Sequence, residues 1–518
     1  MPKKKKNGQR DMGKPLRGGT LVLLTLAIAM ATFMEVLDIS IVNVSVQTIA
    51  GNLGVTPSEG TWAISAYSMS SAVMQPLSGF LARRYGEVRV FLISVSLFIV
   101  CSILCGLSGS IQMLVLFRLM QGAVSGPMVP LSQSILLKNY PPEKKGMAMA
   151  FWAMTVVVAP IFGPILGGYI TDNYSWPWIF FINVPIGVFA FIIAGAILKG
   201  RETKIVKVPI DVIGLALLVI GVGCLQFVLD NGNDNDWFSS HMILWLFIVA
   251  IVGLMFLIPW ELLHDQPVVN LRLFKQRNFT VGVLALAFGM FAFFGSTVAL
   301  PRWLQDAMGY NATWAGLAVA PVGIFAFLLS PLVGRFSSKI DLRLLTALAF
   351  GVFAGASFWA SDFSDQASYG AIIAPRLLQG VGVAMFFVPV NQIILSGLPP
   401  GDVASASGLA NFFRTIASSI STAITTMLYD HRTIFHHARL VENIKDGSPQ
   451  TSEYLSGLQT LGAQGNSAYA AVDRLITLQA NTIALNDILW MFGVVFAAIV
   501  FFVWLAKPPF GAAGDAPA

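Results

Sequence analysis

The sequence predicts an all-α integral membrane protein with about fourteen transmembrane helices. Three observations lead there. Of its 518 residues, 56% are hydrophobic and only 11% charged, against about 25% charged in an ordinary soluble domain. Apolar runs long enough to span a bilayer, about 20 residues each, recur along the whole chain. The basic residues collect in alternate gaps between those runs, which is how topology is written into a membrane protein.

The first run covers 20–46, behind a tail (1–19) that begins Met1-Pro2-Lys3-Lys4-Lys5-Lys6. It is too long for the short apolar core of a cleavable signal and reads as the first span. Further spans are expected at 60–80, 89–107, 111–137, 147–170, 179–198, 212–229 and 241–260. Six more follow at 280–301, 313–334, 343–360, 371–398, 404–429 and 487–506. An even number puts both termini on one side. With a cytoplasmic N-terminus, 24 of the 32 basic residues fall in cytoplasmic segments, five outside and three (Arg118, Arg376, Arg414) within spans. Shifting the count by one span inverts the bias, so the positive-inside rule fixes the orientation: both termini cytoplasmic.

The chain repeats itself. Arg118-Leu119-Met120-Gln121-Gly122 returns as Arg376-Leu377-Leu378-Gln379-Gly380, an offset of 258 residues, and the same offset carries Pro141-Pro142 onto Pro399-Pro400. Duplicated halves are a transporter signature, with the substrate site between them near the midplane. This divides the chain into an N-terminal six-helix half (20–198), an inserted helix pair with its linkers (199–279), a C-terminal six-helix half (280–506) and a cytoplasmic tail (507–518). The C-terminal half carries a long outside loop, 430–486, too long to be a mere connection. Spacings such as Leu455, Leu458 and Leu461 lead us to expect short amphipathic helices there.

Several function classes drop out. The net charge of +6 does not mark a nucleic-acid binder, because the basic residues sit in short gaps rather than on one soluble face; they read as topology signals and contacts to anionic membrane lipid. Cys101, Cys105 and Cys224 lie in apolar runs and offer neither disulfide framework nor metal spacing. His436-His437 are adjacent rather than at ligand spacing, so no metal is expected. There is no Gly-x-x-x-x-Gly-Lys-Ser/Thr loop to cradle a nucleotide, no nucleophile elbow and no zinc-protease motif, so neither an enzyme nor an ATP-driven pump is expected. A proton gradient is the expected drive, with no cofactor.

The residues that carry chemistry are the charges inside spans. Glu35 and Asp38 lie three residues apart in the first span, on one helical face. Intramembrane acids mark ion or proton pathways by default, and two neighbouring desolvated carboxyls can bind and release a proton near neutral pH. Arg118, near the middle of the fourth span, must face a polar interior and a partner. Arg414 in the thirteenth is a possible partner for an acid or an anionic substrate.

Five motifs carry a family resemblance. The loop 79–89, Gly-Phe-Leu-Ala-Arg-Arg-Tyr-Gly-Glu-Val-Arg, resembles the Gly-x-x-x-Asp-Arg-x-Gly-Arg loop of the major facilitator superfamily. It departs from that pattern: Arg83 stands where Asp is usual and Glu87 where Arg is usual. Arg118 with Gln121-Gly122 resembles the superfamily's fourth-span motif. Gly163-Pro164-Ile165-Leu166-Gly167-Gly168 resembles the fifth-span motif of drug antiporters. Leu37-Asp38-Ile39-Ser40-Ile41-Val42-Asn43-Val44 and the string Trp176–Gly187, with Trp-Pro-Trp-Ile-Phe-Phe-Ile-Asn-Val-Pro-Ile-Gly, resemble the fourteen-spanner drug:proton antiporter branch.

The resemblance implies the major facilitator fold and a proton-coupled antiporter exporting lipophilic drugs and toxic compounds. It implies Asp38 and Arg118 as proton-coupling residues; Glu35 stands where the family has a neutral polar residue and joins them as a neighbouring intramembrane acid. Gly79, Arg84, Gly86, Gly122, Gly163, Pro164, Gly167 and Gly168 would serve conformational change. Asn43, Trp62, Tyr67, Gln133, Trp152, Phe412 and Arg414 would line the substrate cavity. It also implies a tripartite efflux system with a periplasmic membrane-fusion adaptor of EmrA type and an outer-membrane channel of TolC type. The alternative, uptake of a small organic solute by proton symport, is disfavoured by the fifth-span Gly-Pro motif.

Overall fold

The computed structural model describes residues 15–206, 208–337, 339–442, 444, 449–460 and 466–510. Among them every regular element is helical, and helical segments occupy all fourteen expected span positions. Several spans are broken where the sequence dictates. The fourth runs Ile111–Asn139 with an interruption at Gly126-Pro127, and the tenth, Thr313–Phe336, is interrupted at Pro321. Proline has no N–H to donate and crowds the preceding turn.

Eleven of these helices are long and apolar enough to cross a membrane, and a twelfth if the bent fifth span is counted. The second (Pro57–Met74) and the thirteenth (Val403–Glu442) are more polar. Their buried faces explain this: Ser65, Ser70 and Ser71 in the one, Ser405, Ser407, Asn411, Ser421 and Thr425 in the other. Both helices face protein rather than lipid, and they contact each other across the molecule. Small and hydroxyl residues let such helices approach closely.

At the end bearing the basic loops the two halves are in van der Waals contact. A Cβ on Gly79 would lie 2.5 Å from the Ser405 Cα, one on Gly408 2.5 Å from the Gln75 carbonyl, and one on Gly146 2.4 Å from the Gly334 carbonyl. Gln133 in the fourth span donates to Asn391 in the twelfth at 2.9 Å, and the two lie 258 residues apart, the repeat offset itself. Thr415 bonds Gln75, and Gln392 bonds Ser337, both at 3.0 Å. This end of the helix bundle is therefore closed. Gly79→Ala should prevent closure: a cysteine at buried Ser407, in a background without the three native cysteines, should react faster with an impermeant maleimide added at this end. Unchanged labelling would count against Gly79 as a closing contact.

The loop that departs from the superfamily pattern anchors the linkers of the inserted pair. Gly86 has φ +96°, and a Cβ there would strike the Glu202 carboxylate. That carboxylate accepts from the Val88 and Arg89 N–H groups at 3.0 and 2.9 Å, supplying the acceptor that the start of the third span (Glu87–Gly106) otherwise lacks. Glu87 pairs with Lys138 at 2.6 Å, and Arg84 donates to the Val208 carbonyl. Of the two exchanged charges, Glu87 thus has Lys138 as its partner, while Arg83 reaches the Pro267 carbonyl at 3.5 Å.

The inserted spans are Val212–Asn231 and His241–Leu263. The first packs against the second and thirteenth spans, the latter mainly against its partner. Only 22% of the most apolar window of His241–Leu263 is buried, compared with 56% in the first span, so it faces lipid.

In the 430–486 segment Leu455 and Leu458 lie in a short helix, Pro449–Thr460, while on either side the thirteenth helix continues unbroken to Glu442 and the last (Asn466–Phe502) begins well before its apolar stretch. Leu461 lies outside the described residues. Polar pairs hold the two extensions together beyond the apolar zone: His436–Asp487 at 2.8 Å, His437–Asp473 at 3.0 Å, and Thr433–Asn481 at 2.9 Å.

Candidate functional site

The first span, Gly18–Leu53, is the scaffold of the site. It packs along the fifth, and the glycines of the fifth-span motif are what permit it. A Cβ on Gly163 would lie 2.2 Å from Ser40 Oγ and one on Gly167 3.0 Å from Ile41, while Gly168 has open space around it. Ser40 donates to the Pro160 carbonyl at 2.9 Å. The Pro164 side chain falls outside the described residues.

Asp38 and Glu35 are both buried, as is Arg118. Arg118 answers the question of which cation meets Asp38: its Nη1 donates to Asp38 Oδ2. The other carboxylate oxygen, Oδ1, accepts from Asn183 Nδ2 at 2.7 Å and from Gln121 Nε2 at 3.2 Å. Gln121 also donates to Ser102 at 2.9 Å and accepts from Arg118 at 2.8 Å, while Arg118 Nε donates to the Ala63 carbonyl at 3.3 Å. The guanidinium lies 4.2 Å from the centroid of the Tyr67 ring and 5.7 Å from that of Phe180, each attractive to a cation above its face. Gly122 makes room for the second span, since a Cβ there would sit 2.3 Å from the Tyr67 carbonyl.

Glu35 is held differently. Its Oε2 has no hydrogen-bond partner, and no salt bridge to it is found among the described residues.

The C-terminal half holds the same framework without the acid. Arg376 donates to Gln379 at 2.6 Å as Arg118 does to Gln121, and Gln379 donates to Ser296 at 3.2 Å as Gln121 does to Asp38. Ser296 lies 258 residues after Asp38 and occupies its place. Arg376 donates instead to the Ser296 carbonyl at 2.8 Å. The ion pair exists in one half only.

The remaining candidates scatter. Tyr67 joins Arg118 rather than an open cavity. Trp152 is buried and donates to Ser132 at 3.0 Å. Gln133 is engaged with Asn391. Phe412 is half-buried against Phe413, 5.4 Å between ring centroids. Arg414 is half-buried, and Asn43 and Trp62 are exposed. Sequence reasoning missed Gln121, Asn183 and Ser102 as site residues. The first two stood inside recognised motifs, which was the available signal; Ser102 gave none.

The model of the Major Facilitator Superfamily matches residues 28–422. The chain is 50% identical to the multidrug export protein EmrB of Escherichia coli K12 over 97% of this chain and 98% of that one. It is 45% identical to the fatty acid resistance protein FarB of Neisseria gonorrhoeae, over 96% and 99%. Among solved structures, the proton:xylose symporter XylE superposes with a TM-score of 0.58 at 12% identity, covering 93% of this chain and 95% of that one; at that identity it speaks for the fold alone. The chain belongs to the major facilitator superfamily, and within it is EmrB-like.

Proposed function

We propose that this protein is a proton-coupled antiporter that exports lipophilic compounds across the bacterial inner membrane, with both termini cytoplasmic. The observation that carries the reading is the pair of buried acids in the first span, one neutralised by Arg118 and two amides, the other left with an unsatisfied oxygen. A proton delivered to Asp38 removes its charge, releases Arg118 from its ion pair and so changes what the fourth span can hold in place. Loss of that proton restores the pair. Alternation between the two states, coupled to opening of one end or the other, is what an exchanger requires.

The names of the relatives, multidrug export and fatty acid resistance, point to apolar cargo. Arg414 offers a cation to an anionic lipophile where the halves meet. A periplasmic adaptor of EmrA type and a channel of TolC type complete the proposed assembly. The paired helical extensions beyond the thirteenth and last spans present the surface for the adaptor, with Ile434, Phe435 and Tyr469 exposed on them.

An efflux-deficient strain expressing this chain with an EmrA-type adaptor should gain resistance to dodecanoate and to lipophilic antibiotics; no gain at normal expression would refute the export reading. Replacing residues 430–486 with a short Gly/Ser linker should preserve insertion and abolish adaptor co-purification. Undiminished adaptor binding would place the contact elsewhere.

A further inference from the structure

The inserted span Val212–Asn231 carries an acid that the transport scheme above does not use. Asp230 lies one residue from its end, at the junction with both halves. Its neighbour Asn231 donates to Ser65 in the second span at 3.4 Å, and Gln226, one turn earlier, donates to Ser419 in the thirteenth at 2.8 Å. Gln226 Nε2 also donates to Asp230 Oδ1 at 2.9 Å.

Two atoms of this pair are left over. Asp230 Oδ2 and Gln226 Oε1 are both buried and both lack a hydrogen-bond partner. Two acceptors cannot satisfy each other, and a buried polar group without a partner is expensive. A proton on Oδ2 turns that oxygen into a donor. Gln226 then gives an N–H to one carboxyl oxygen and receives an O–H from the other, closing the cyclic pairing of a carboxylic acid with a primary amide. One proton serves both orphaned atoms.

Nothing else nearby neutralises the acid. On the elements packed around it the charged or titratable groups are Glu59 and Tyr67 of the second span, Arg414, Tyr429, Asp430, His431, Arg432, His436, His437, Arg439 and Glu442 of the thirteenth helix, and His241 and Glu261 of the other inserted span, with Asp234 and Asp236 in the following turn. Among the described residues none of these forms an ion pair with it, and the side-chain hydrogen bond to its carboxyl comes from Gln226.

We infer that Asp230 and Gln226 form a second proton-binding site, built into the inserted helix pair. The bound proton lies between Asp230 Oδ2 and Gln226 Oε1, and no covalent bond other than O–H forms or breaks. Because Gln226 simultaneously holds Ser419, the proton also sets the grip of the inserted span on the thirteenth. The site thus reports protonation to the seam between the two halves, apart from the Asp38 pair. Its part in transport rests on the proton-coupled reading; its occupancy by a proton does not.

Infrared difference spectroscopy on the full chain, reconstituted in lipid and stepped between acid and alkaline buffer, reads this directly. The wild type should show a buried protonated-carboxyl C=O band that Asp230→Asn lacks and Asp38→Asn retains. Gln226→Ala should shift that band to higher frequency by removing its hydrogen bond, and this variant carries the test if Asp230→Asn fails to insert. A protonated-carboxyl region identical to wild type in Asp230→Asn, or in Gln226→Ala, would overturn the inference. The transport reading fails separately, if wild-type protein releases no protons when its substrate is added.

Discussion

Arg118→Ala should abolish efflux, with Arg118→Lys retaining part of it. The arginine serves Asp38, Gln121 and the Ala63 carbonyl at once while lying on the Tyr67 ring. Alanine would leave the Asp38 carboxylate buried and without its cation. Stripping one partner from a buried ion pair costs about 3–5 kcal/mol, so protein yield should fall along with transport. Lysine restores the charge but is a point cation without the planar fork. It can meet Asp38, but it cannot hold Gln121 and Ala63 with the same geometry. The check is drug resistance normalised to the amount of inserted protein. A fully active, normally inserted Arg118→Ala would remove this residue from the mechanism. The same change at Arg376 should be milder in its effect on proton coupling, because Ser296 stands where the acid would be.

The sequence made much of the architecture legible because hydropathy and basic residues are the terms in which a bilayer reads a chain. Spans and inserted pair follow from apolar length. The second and thirteenth spans are more polar than the others, and their Ser- and Thr-rich faces become intelligible from the contact between the two helices. The site was legible in part for a related reason. A charge inside a span is rare, so Glu35, Asp38 and Arg118 stand out individually. Their pairing spans 80 residues between Asp38 and Arg118 and 145 between Asp38 and Asn183, distances that no local periodicity encodes. Asn183 and Ser102 carry no hydropathy signal, since an amide or a hydroxyl is tolerated on any protein-facing side of a helix.

Two other features needed three dimensions. The repeat offset was visible in the Arg-Gln-Gly segments, yet its consequence at Ser296 needed the geometry that puts that residue where Asp38 sits. In the helical extensions around 430–442 and 466–486 polar residues break the apolar pattern, so hydropathy does not show that the two helices continue there. What keeps them helical is pairing with each other, through His436, His437 and Thr433, rather than any apolar stripe.

The account turns on Asp38, and proton release from purified protein tests it most directly. Asn183 and Gln121 hold one carboxylate oxygen and Arg118 the other, so Asp38→Asn replaces an ion pair by a neutral group of the same shape that can still accept hydrogen bonds. The variant should insert normally and still bind substrate, since the amide resembles the protonated acid. Active efflux should nevertheless be lost, because nothing at that position can exchange a proton. Glu35→Gln should alter substrate preference more than coupling, and Asp38→Glu should keep some transport with a shifted pH optimum. The decisive comparison adds dodecanoate to detergent-solubilised protein in weakly buffered solution, subtracting the protons from dodecanoate's own ionisation measured in protein-free detergent. Wild type is expected to release protons in proportion to bound substrate and Asp38→Asn to release none. Equal release by the two proteins, with normal resistance from the variant, would contradict the account and place the coupling acid elsewhere, at Glu35 first.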